Sequence, residues 1–269
     1  MQKSMSHFYT LEISDPRFEA EGLRHITVKS KHLKGRGDIT VFIPEGVEEK
    51  RDLPFAILLH GVYGSHWAWA MKGGVHKTLQ GLIKEEKAPP MVLAMPSDGL
   101  WGDGSGYLKH SWADYENWII KDVPHALWES IDQVSEKSVQ FIGGLSMGGY
   151  GAMRLGAKYG RQFRGISAHS SVTKLHYLTA FVSDDWKEYN FPEVESSVLE
   201  TCIVYRETLP PLRFDCGLED DLINANRNLH NRLVKADIGH VYQEFSGGHS
   251  WEYWEEHVEK SLIFFGQQL

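Results

Sequence analysis

The chain has 269 residues, 42% of them hydrophobic, enough for one large domain around a single core. Its 28 Lys and Arg against 36 Asp and Glu leave a formal net charge of -8, without a basic cluster, which argues against nucleic acid as the main partner. The two cysteines, Cys202 and Cys216, are too few for a disulfide scaffold and fit no metal spacing, and no run approaches the ~20 apolar residues of a membrane span. Met1–His7 leads into polar sequence with no apolar signal core, so the expected location is cytoplasmic.

In chain order, Leu23–Val28 and Asp38–Ile43 alternate in polarity and predict two antiparallel strands ending at Pro44. Phe55–Leu59 and Met91–Met95 are continuous apolar runs, as strands buried on both faces require. Between them Val75–Lys87 reads as a helix. Tyr115–Ile131 reads as another, with a kink or break at Pro124. Then come a strand over Val139–Ile142, a helix over Gly149–Tyr159 and strands at Phe163–Ala168 and Leu212–Cys216. A helix over Leu222–Ala236, a strand over His240–Phe245 and a helix over Trp251–Phe265 close the chain. Two opening strands followed by alternating strands and helices predict a mostly parallel, eight-stranded α/β sheet with helices on both faces. Residues 170–211 break the alternation. They are too long for a plain connection and carry Tyr177, Phe181, Trp186, Tyr189 and Phe191, so a helical, cap-like insertion within a single domain over 1–269 is expected.

The chemical centre is Gly143–Gly149, which holds G-x-S-x-G from Gly144 to Gly148. The pattern alone is weak, but it follows an apolar strand and precedes a helix. A serine on a strained strand-to-helix turn needs small neighbours, and glycine occupies 143, 144, 148 and 149. Ser146 is therefore the candidate nucleophile, at the positive end of a helix that favours a developing oxyanion.

A serine hydroxyl needs a base. In α/β-hydrolases the chain order is Ser, acid, His, and catalytic groups stand past the carboxyl ends of strands. Of fourteen histidines, His249 fits, directly after the last strand; His60 also ends a strand but precedes Ser146. His110, His125, His169, His176, His230 and His257 read as surface or packing residues. The acid belongs on the loop after Leu212–Cys216, where Asp220 and Asp221 both qualify. One would orient His249 and the other would cap the next helix; Asp220 is preferred as acid and Asp221 as cap. Asp215 lies inside the strand and is disfavoured.

The oxyanion hole needs two N–H donors. Met147, after the nucleophile, is one; the loop after Phe55–Leu59 should give the other, with Val62 preferred and Tyr63 second. Trp67, Trp101, Tyr107 and Trp186, together with Asp98, are candidates for substrate contact, and Trp69 also follows the oxyanion loop. Indoles near one site suit a sugar ring or an aromatic acyl group, although core and rim packing explains many tryptophans.

Four motifs in order carry a family resemblance: Leu59-His60-Gly61 with Gly and Trp downstream, the segment from Gly144 to Ala152, Cys216–Leu222, and Gly247–Trp254. Together, over about residues 20–265, they resemble the esterase D family of tributyrin-type, feruloyl and acetyl-xylan esterases, S-formylglutathione hydrolases and mycolyltransferases. The resemblance implies an α/β-hydrolase fold, places the acid on Asp220 and favours the Val62 amide. The Ser-Gly-Leu-Thr-Cys segment of the formylglutathione branch is absent, with His60-Gly61-Val62-Tyr63 in its place, which lowers the thioester reading.

The expected activity is a serine carboxylic ester hydrolase acting through an acyl-enzyme on small acyl or carbohydrate-linked esters of acetyl or feruloyl type. An S-formylglutathione-type thioester hydrolase is the alternative, and a catalytically silent binding protein of the same fold ranks third. No cofactor or metal is expected, since neither H-E-x-x-H nor a Cys cluster occurs. The expected partner is a small-molecule ester, with neither nucleic acid nor membrane, and a homo-oligomer is compatible with the chain.

Overall fold

Apolar runs without alternation must be covered from both sides. The computed structural model, which describes residues 6–99, 102–183 and 190–269, buries them at the centre of a nine-stranded sheet. The strands are β1 (Leu11–Ile13), β2 (Leu23–Ser30), β3 (Gly35–Phe42), β4 (Phe55–Leu59), β5 (Val92–Pro96), β6 (Gln140–Leu145), β7 (Phe163–His169), β8 (Leu212–Gly217) and β9 (Val241–Phe245). Every residue of β4, β5, β6 and β8 is buried, whereas the edge strands β1 and β9 are largely half-buried or exposed. The spatial order is β1-β2-β3-β5-β4-β6-β7-β8-β9. Pairings from β1 through β3 to β5 are antiparallel and the rest are parallel. The sheet therefore has one strand more than expected. The additional β1 is only three residues long, too short for alternation to register in the sequence.

The helices are α1 (Ala68–Met71), α2 (Val75–Lys84), α3 (Tyr115–Asn117), α4 (Val123–Ser130), α5 (Met147–Lys158), α6 (Val198–Val204), α7 (Ile223–Lys235) and α8 (Trp251–Gly266). Strand side chains alternate between the two faces. Ala56 and Leu58 of β4 join Leu79 and Leu82 of α2 and Val258, Leu262 and Phe265 of α8. Phe55, Ile57 and Leu59 join Val123 and Leu127 of α4, Met153 and Leu155 of α5 and Leu229 and Leu233 of α7. The helical stretch runs on through Pro124, but its α-helical ladder is interrupted just before the proline. A π-helical turn over Trp118–Asp122 links α3 to α4 and leaves the proline in the first turn of α4, where a missing N–H costs little.

The described parts of 170–211 are built into the body. Leu175 and Leu178 of a 3-10 helix over Leu175–Ala180, with Val198, Leu199 and Cys202 of α6, join the core beside α5. An ionic cluster fixes them there. Arg154 of α5 is fully buried, its Nη1 standing 2.6 Å from Glu116 Oε2 and 2.5 Å from Glu195 Oε2, while its Nη2 donates to the Tyr107 carbonyl at 2.6 Å. Lys158 Nζ lies 2.8 Å from both carboxylates.

The chain lays β5 on one side of β4 and β6 on the other. Such a reversal opens a crevice at the carboxyl ends of the strands, where the loops after β4 and β6 diverge.

Candidate active site

Ser146 sits in that crevice, between β6 and α5, with φ 53° and ψ -118°. This is a left-handed φ that a side-chain-bearing residue adopts only where its surroundings hold it. The Ser146 amide donates to the His169 carbonyl at 2.9 Å, and its own carbonyl accepts from Tyr150 and Val172 at 3.1 Å each. The turn also requires its glycines. A Cβ on Gly144 would collide with the Gly148 carbonyl, and one on Gly148 with that of Leu59. A Cβ on Gly61 would lie 3.3 Å from that of Ser146, so the loop after β4 runs directly beside the serine.

That loop is braced from below. The Tyr107 hydroxyl donates to the His60 carbonyl at 2.8 Å, His60 Nδ1 lies 2.7 Å from the Gly61 carbonyl, and the Asp98 amide donates to His60 Nε2 at 3.2 Å. The Tyr63 amide is engaged by the Asp103 carbonyl at 3.1 Å. Among the described residues, neither the Val62 nor the Met147 amide has an acceptor.

His249 Nε2 stands 3.0 Å from Ser146 Oγ, and its Nδ1 stands 2.9 Å from Asp220 Oδ2. The loops carrying His249 and Asp220 are joined by main chain: Leu218 donates to Phe245 at 2.8 Å and Glu219 to Gly247 at 3.1 Å. Gly247 has φ 119°, open essentially only to glycine, and donates to Glu219 Oε2 at 2.5 Å. Asp220 and Ser146 are each 2% exposed. Burial opposes ionisation of Asp220, but the His249 hydrogen bond and charge, with the Leu222 amide, hold its carboxyl below the ordinary value. Asp220 also takes over the turn into α7, for its Oδ1 accepts from Leu222 N at 2.8 Å. The expected division of labour fails here. Asp221 is exposed and caps nothing among the described residues, because Asp220 has two oxygens and uses both.

The imidazole of His249 meets two aromatic rings. Phe181 stacks on it at 5.8 Å and 16°, and Trp254 meets it edge-on at 5.0 Å and 87°. The Tyr63 hydroxyl donates to the Phe181 carbonyl, tying the 170–211 segment to the loop after β4. Over the serine opens a cleft of about 560 Å³, lined by Gly61–Gly64, Trp67, Lys72, Leu145, Phe181, His249–Glu252 and Trp254.

The other expected contacts divide. Trp67 lines the cleft and is 43% exposed. Tyr107 does not line it; its ring is fully buried against Gly151, and burial next to Asp98 raises its hydroxyl pKa. Tyr107 supports the His60 loop instead. Asp98 is likewise buried, with its carboxylate accepting from the Ser105 amide at 2.9 Å. Trp69 is buried, and its indole donates to the Leu59 carbonyl at 3.0 Å. Trp101, Trp186 and Tyr189 lie outside the described residues. Sequence reasoning missed Lys72, Trp251, Glu252 and Trp254. The helical spacing of Trp251 and Trp254 immediately after His249 was the available signal.

A second Ser–His–Asp chain lies beneath the first. His169 Nε2 is 2.6 Å from Ser261 Oγ and its Nδ1 is 3.0 Å from Asp215 Oδ1. All three residues are at most 2% exposed and none lines the cleft, so no substrate reaches them. Although burial opposes it, the charge of His169 and its hydrogen bond, with Arg213 and Tyr253, bring the Asp215 pKa down to about 2. The network joins β7, β8 and α8, and the His169 carbonyl holds the Ser146 amide. Its place is scaffolding. Among the described residues, no group of three or more His, Cys, Asp or Glu side chains could hold a metal ion, and no helix is long and apolar enough to cross a membrane.

Comparison with known proteins agrees with this architecture. Residues 30–265 match the family model described as "Putative esterase". An acetyl esterase from Caldicellulosiruptor saccharolyticus is 29% identical over 271 residues, covering 89% of this chain and 96% of that protein. A ferulic acid esterase structure superposes with a TM-score of 0.78 at 22% identity, covering 97% of this chain and 99% of its own. An S-formylglutathione hydrolase from Staphylococcus aureus does so with a TM-score of 0.76 at 19% identity, covering 94% and 99%. The family match spans most of the chain and the superpositions are those of the α/β-hydrolase fold: the chain belongs to the esterase family and is a carboxylic ester hydrolase.

Proposed function

We propose that the protein hydrolyses small acyl esters, among them sugar acetates, through an acyl-enzyme on Ser146. The observation that carries this reading is the hydrogen-bonded run Ser146–His249–Asp220 beside two amides, Val62 and Met147, that have no other acceptor among the described residues. Ser146 Oγ attacks the ester carbonyl while His249 Nε2 takes its proton, and Asp220 stabilises the imidazolium. The oxyanion forms at the Val62 and Met147 amides. Collapse expels the alcohol, which takes the proton from His249. Water then attacks the acyl-enzyme, gives a proton to His249 and releases the acid, and the proton returns to Ser146. The indoles at the cleft and the resemblance to an acetyl esterase support a short acyl group on a sugar alcohol.

Two measurements test the reading. A fluorophosphonate should label the wild type and fail to label Ser146→Ala, and Ser146→Ala should fold normally with turnover reduced by about three orders of magnitude or more. An unlabelled wild type, or a Ser146→Ala variant with more than a few per cent of the activity, would falsify it. A panel of p-nitrophenyl acetate, methyl ferulate, acetylated sugars and S-formylglutathione then ranks the substrates, and the highest kcat/KM on the thioester would replace the ester reading.

A further inference from the structure

We infer that Lys72 and Glu252, set among the indoles of Trp67, Trp251 and Trp254, form the subsite for the alcohol half of the ester, and that it takes a neutral, multiply hydroxylated ring. The inference rests on the acyl-enzyme reading of Ser146 and His249. In that reaction His249 returns its proton to the departing alcohol, so the alcohol oxygen must leave within reach of Nε2. Trp251 and Glu252 follow His249 by two and three residues and, with Lys72, line the same cleft. The alcohol half therefore leaves along this wall.

The wall is built rather than incidental. The Trp251 ring packs against Gly73, where an added Cβ would meet its Cζ3 at 2.9 Å, and stands edge-on to Trp69 at 5.8 Å and to Trp254 at 5.3 Å. Lys72 Nζ lies over the Trp251 ring, 5.4 Å from its centroid, and among the described residues no carboxylate comes within ion-pair distance of it. The Ser250 hydroxyl, its own amide and the charge of Lys72 hold the Glu252 carboxyl below its ordinary value. Trp254 is only 6% exposed, yet its indole N–H has no acceptor among the described residues.

The chemistry of the ligand follows. Apart from His249, Lys72 and Glu252 are, among the described residues, the only titratable cation and carboxylate lining the cleft. Their opposite signs offset one another, so this pair favours neither an anionic nor a cationic alcohol. One gives donors and the other acceptors, which together suit hydroxyl groups. Indole surfaces cover the apolar face of a saturated ring.

Three acetyl donors test this, because all give the same acetyl-enzyme and differ only in what leaves: a mono-O-acetyl methyl xyloside, p-nitrophenyl acetate and S-acetylglutathione. The readout is the ratio of kcat/KM for the xyloside to that for p-nitrophenyl acetate. Lys72→Met and Glu252→Gln should each lower it by about tenfold, the loss of one charge-assisted hydrogen bond. An unchanged ratio in both variants overturns the proposal. So does a selective loss of S-acetylglutathione turnover in Lys72→Met with a gain in Glu252→Gln, which would assign the wall to an anionic thiol. Fluorophosphonate labelling of Ser146 in each variant separates failure of this subsite from failure of the serine mechanism.

Discussion

The Asp220 carboxylate reaches His249 through Oδ2 at 2.9 Å while its Oδ1 closes the turn into α7 on the Leu222 amide at 2.8 Å. One residue thus couples the orientation of the imidazole to the start of a helix. Asp220→Asn keeps an acceptor for Leu222 but disturbs the tautomer of His249. It should lower kcat by about three to four orders of magnitude with little change in Tm. Asp220→Ala loses both contacts and should cost about 1 kcal/mol more in stability. Exposed Asp221 should tolerate Asn with full activity. Equal losses in Asp220→Asn and Asp221→Asn, measured on p-nitrophenyl acetate, would contradict the geometry.

The turn at Ser146 makes a second, purely structural prediction. A Cβ on Gly148 would run into the Leu59 carbonyl, and backbone cannot move aside as a flexible side chain can. Gly148→Ala should lose about 1–3 kcal/mol or fail to fold. Gly81 of α2 has nothing within 4 Å of its would-be Cβ. Gly81→Ala should stabilise by about 0.5–1 kcal/mol, because alanine is the better helix former. Urea denaturation of the two variants gives both numbers.

Phe181 stacks on His249 and so helps to hold the ring in line with Ser146. Phe181→Ala should reduce kcat/KM for p-nitrophenyl acetate by about threefold to tenfold, the worth of one aromatic pair. Phe181→Tyr should restore most of the loss. A loss that Tyr does not rescue would mean that the segment, rather than the ring, matters.

Strand and helix positions were legible because burial on two faces leaves long apolar runs, as in Phe55–Leu59. The meeting of Ser146 and His249 was legible because a strained turn and a strand end leave local signatures. What escaped the sequence depends on contacts remote along the chain. Tyr107 reads as a loop aromatic beside the site, yet its hydroxyl is bound 47 residues away, at His60. The double use of Asp220 depends on which way each oxygen points, and two adjacent aspartates carry no record of that. His169 read as a packing residue, and nothing in its flanking sequence reveals that Asp215 and Ser261 enclose it.

The Arg154 cluster sets the response to acid. Burial raises the pKa of Glu116, but the charge of Arg154, with hydrogen bonds from Lys158, Tyr159 and Arg154, outweighs it and brings the carboxyl from 4.5 down to about 2. A carboxylate depressed on folding stabilises the native state fully above its unfolded pKa, and that contribution fades as pH falls through the folded value. The window here runs from pH 4.5 to about 2. Glu116→Gln keeps the shape but removes the charge, leaving Arg154 with Glu195 alone. At pH 7 it should cost about 3 kcal/mol, or roughly 6–12 °C in Tm. Near pH 2 a protonated Glu116 and a glutamine are nearly equivalent, so the two Tm curves should converge as pH falls through the window. Asp215, also held at about 2, keeps a slope in both proteins, so the variant curve flattens without becoming level. Parallel curves from pH 7 to pH 2 would show that the Glu116 charge contributes nothing to folding, and that its carboxyl serves only as a hydrogen-bond acceptor for Arg154.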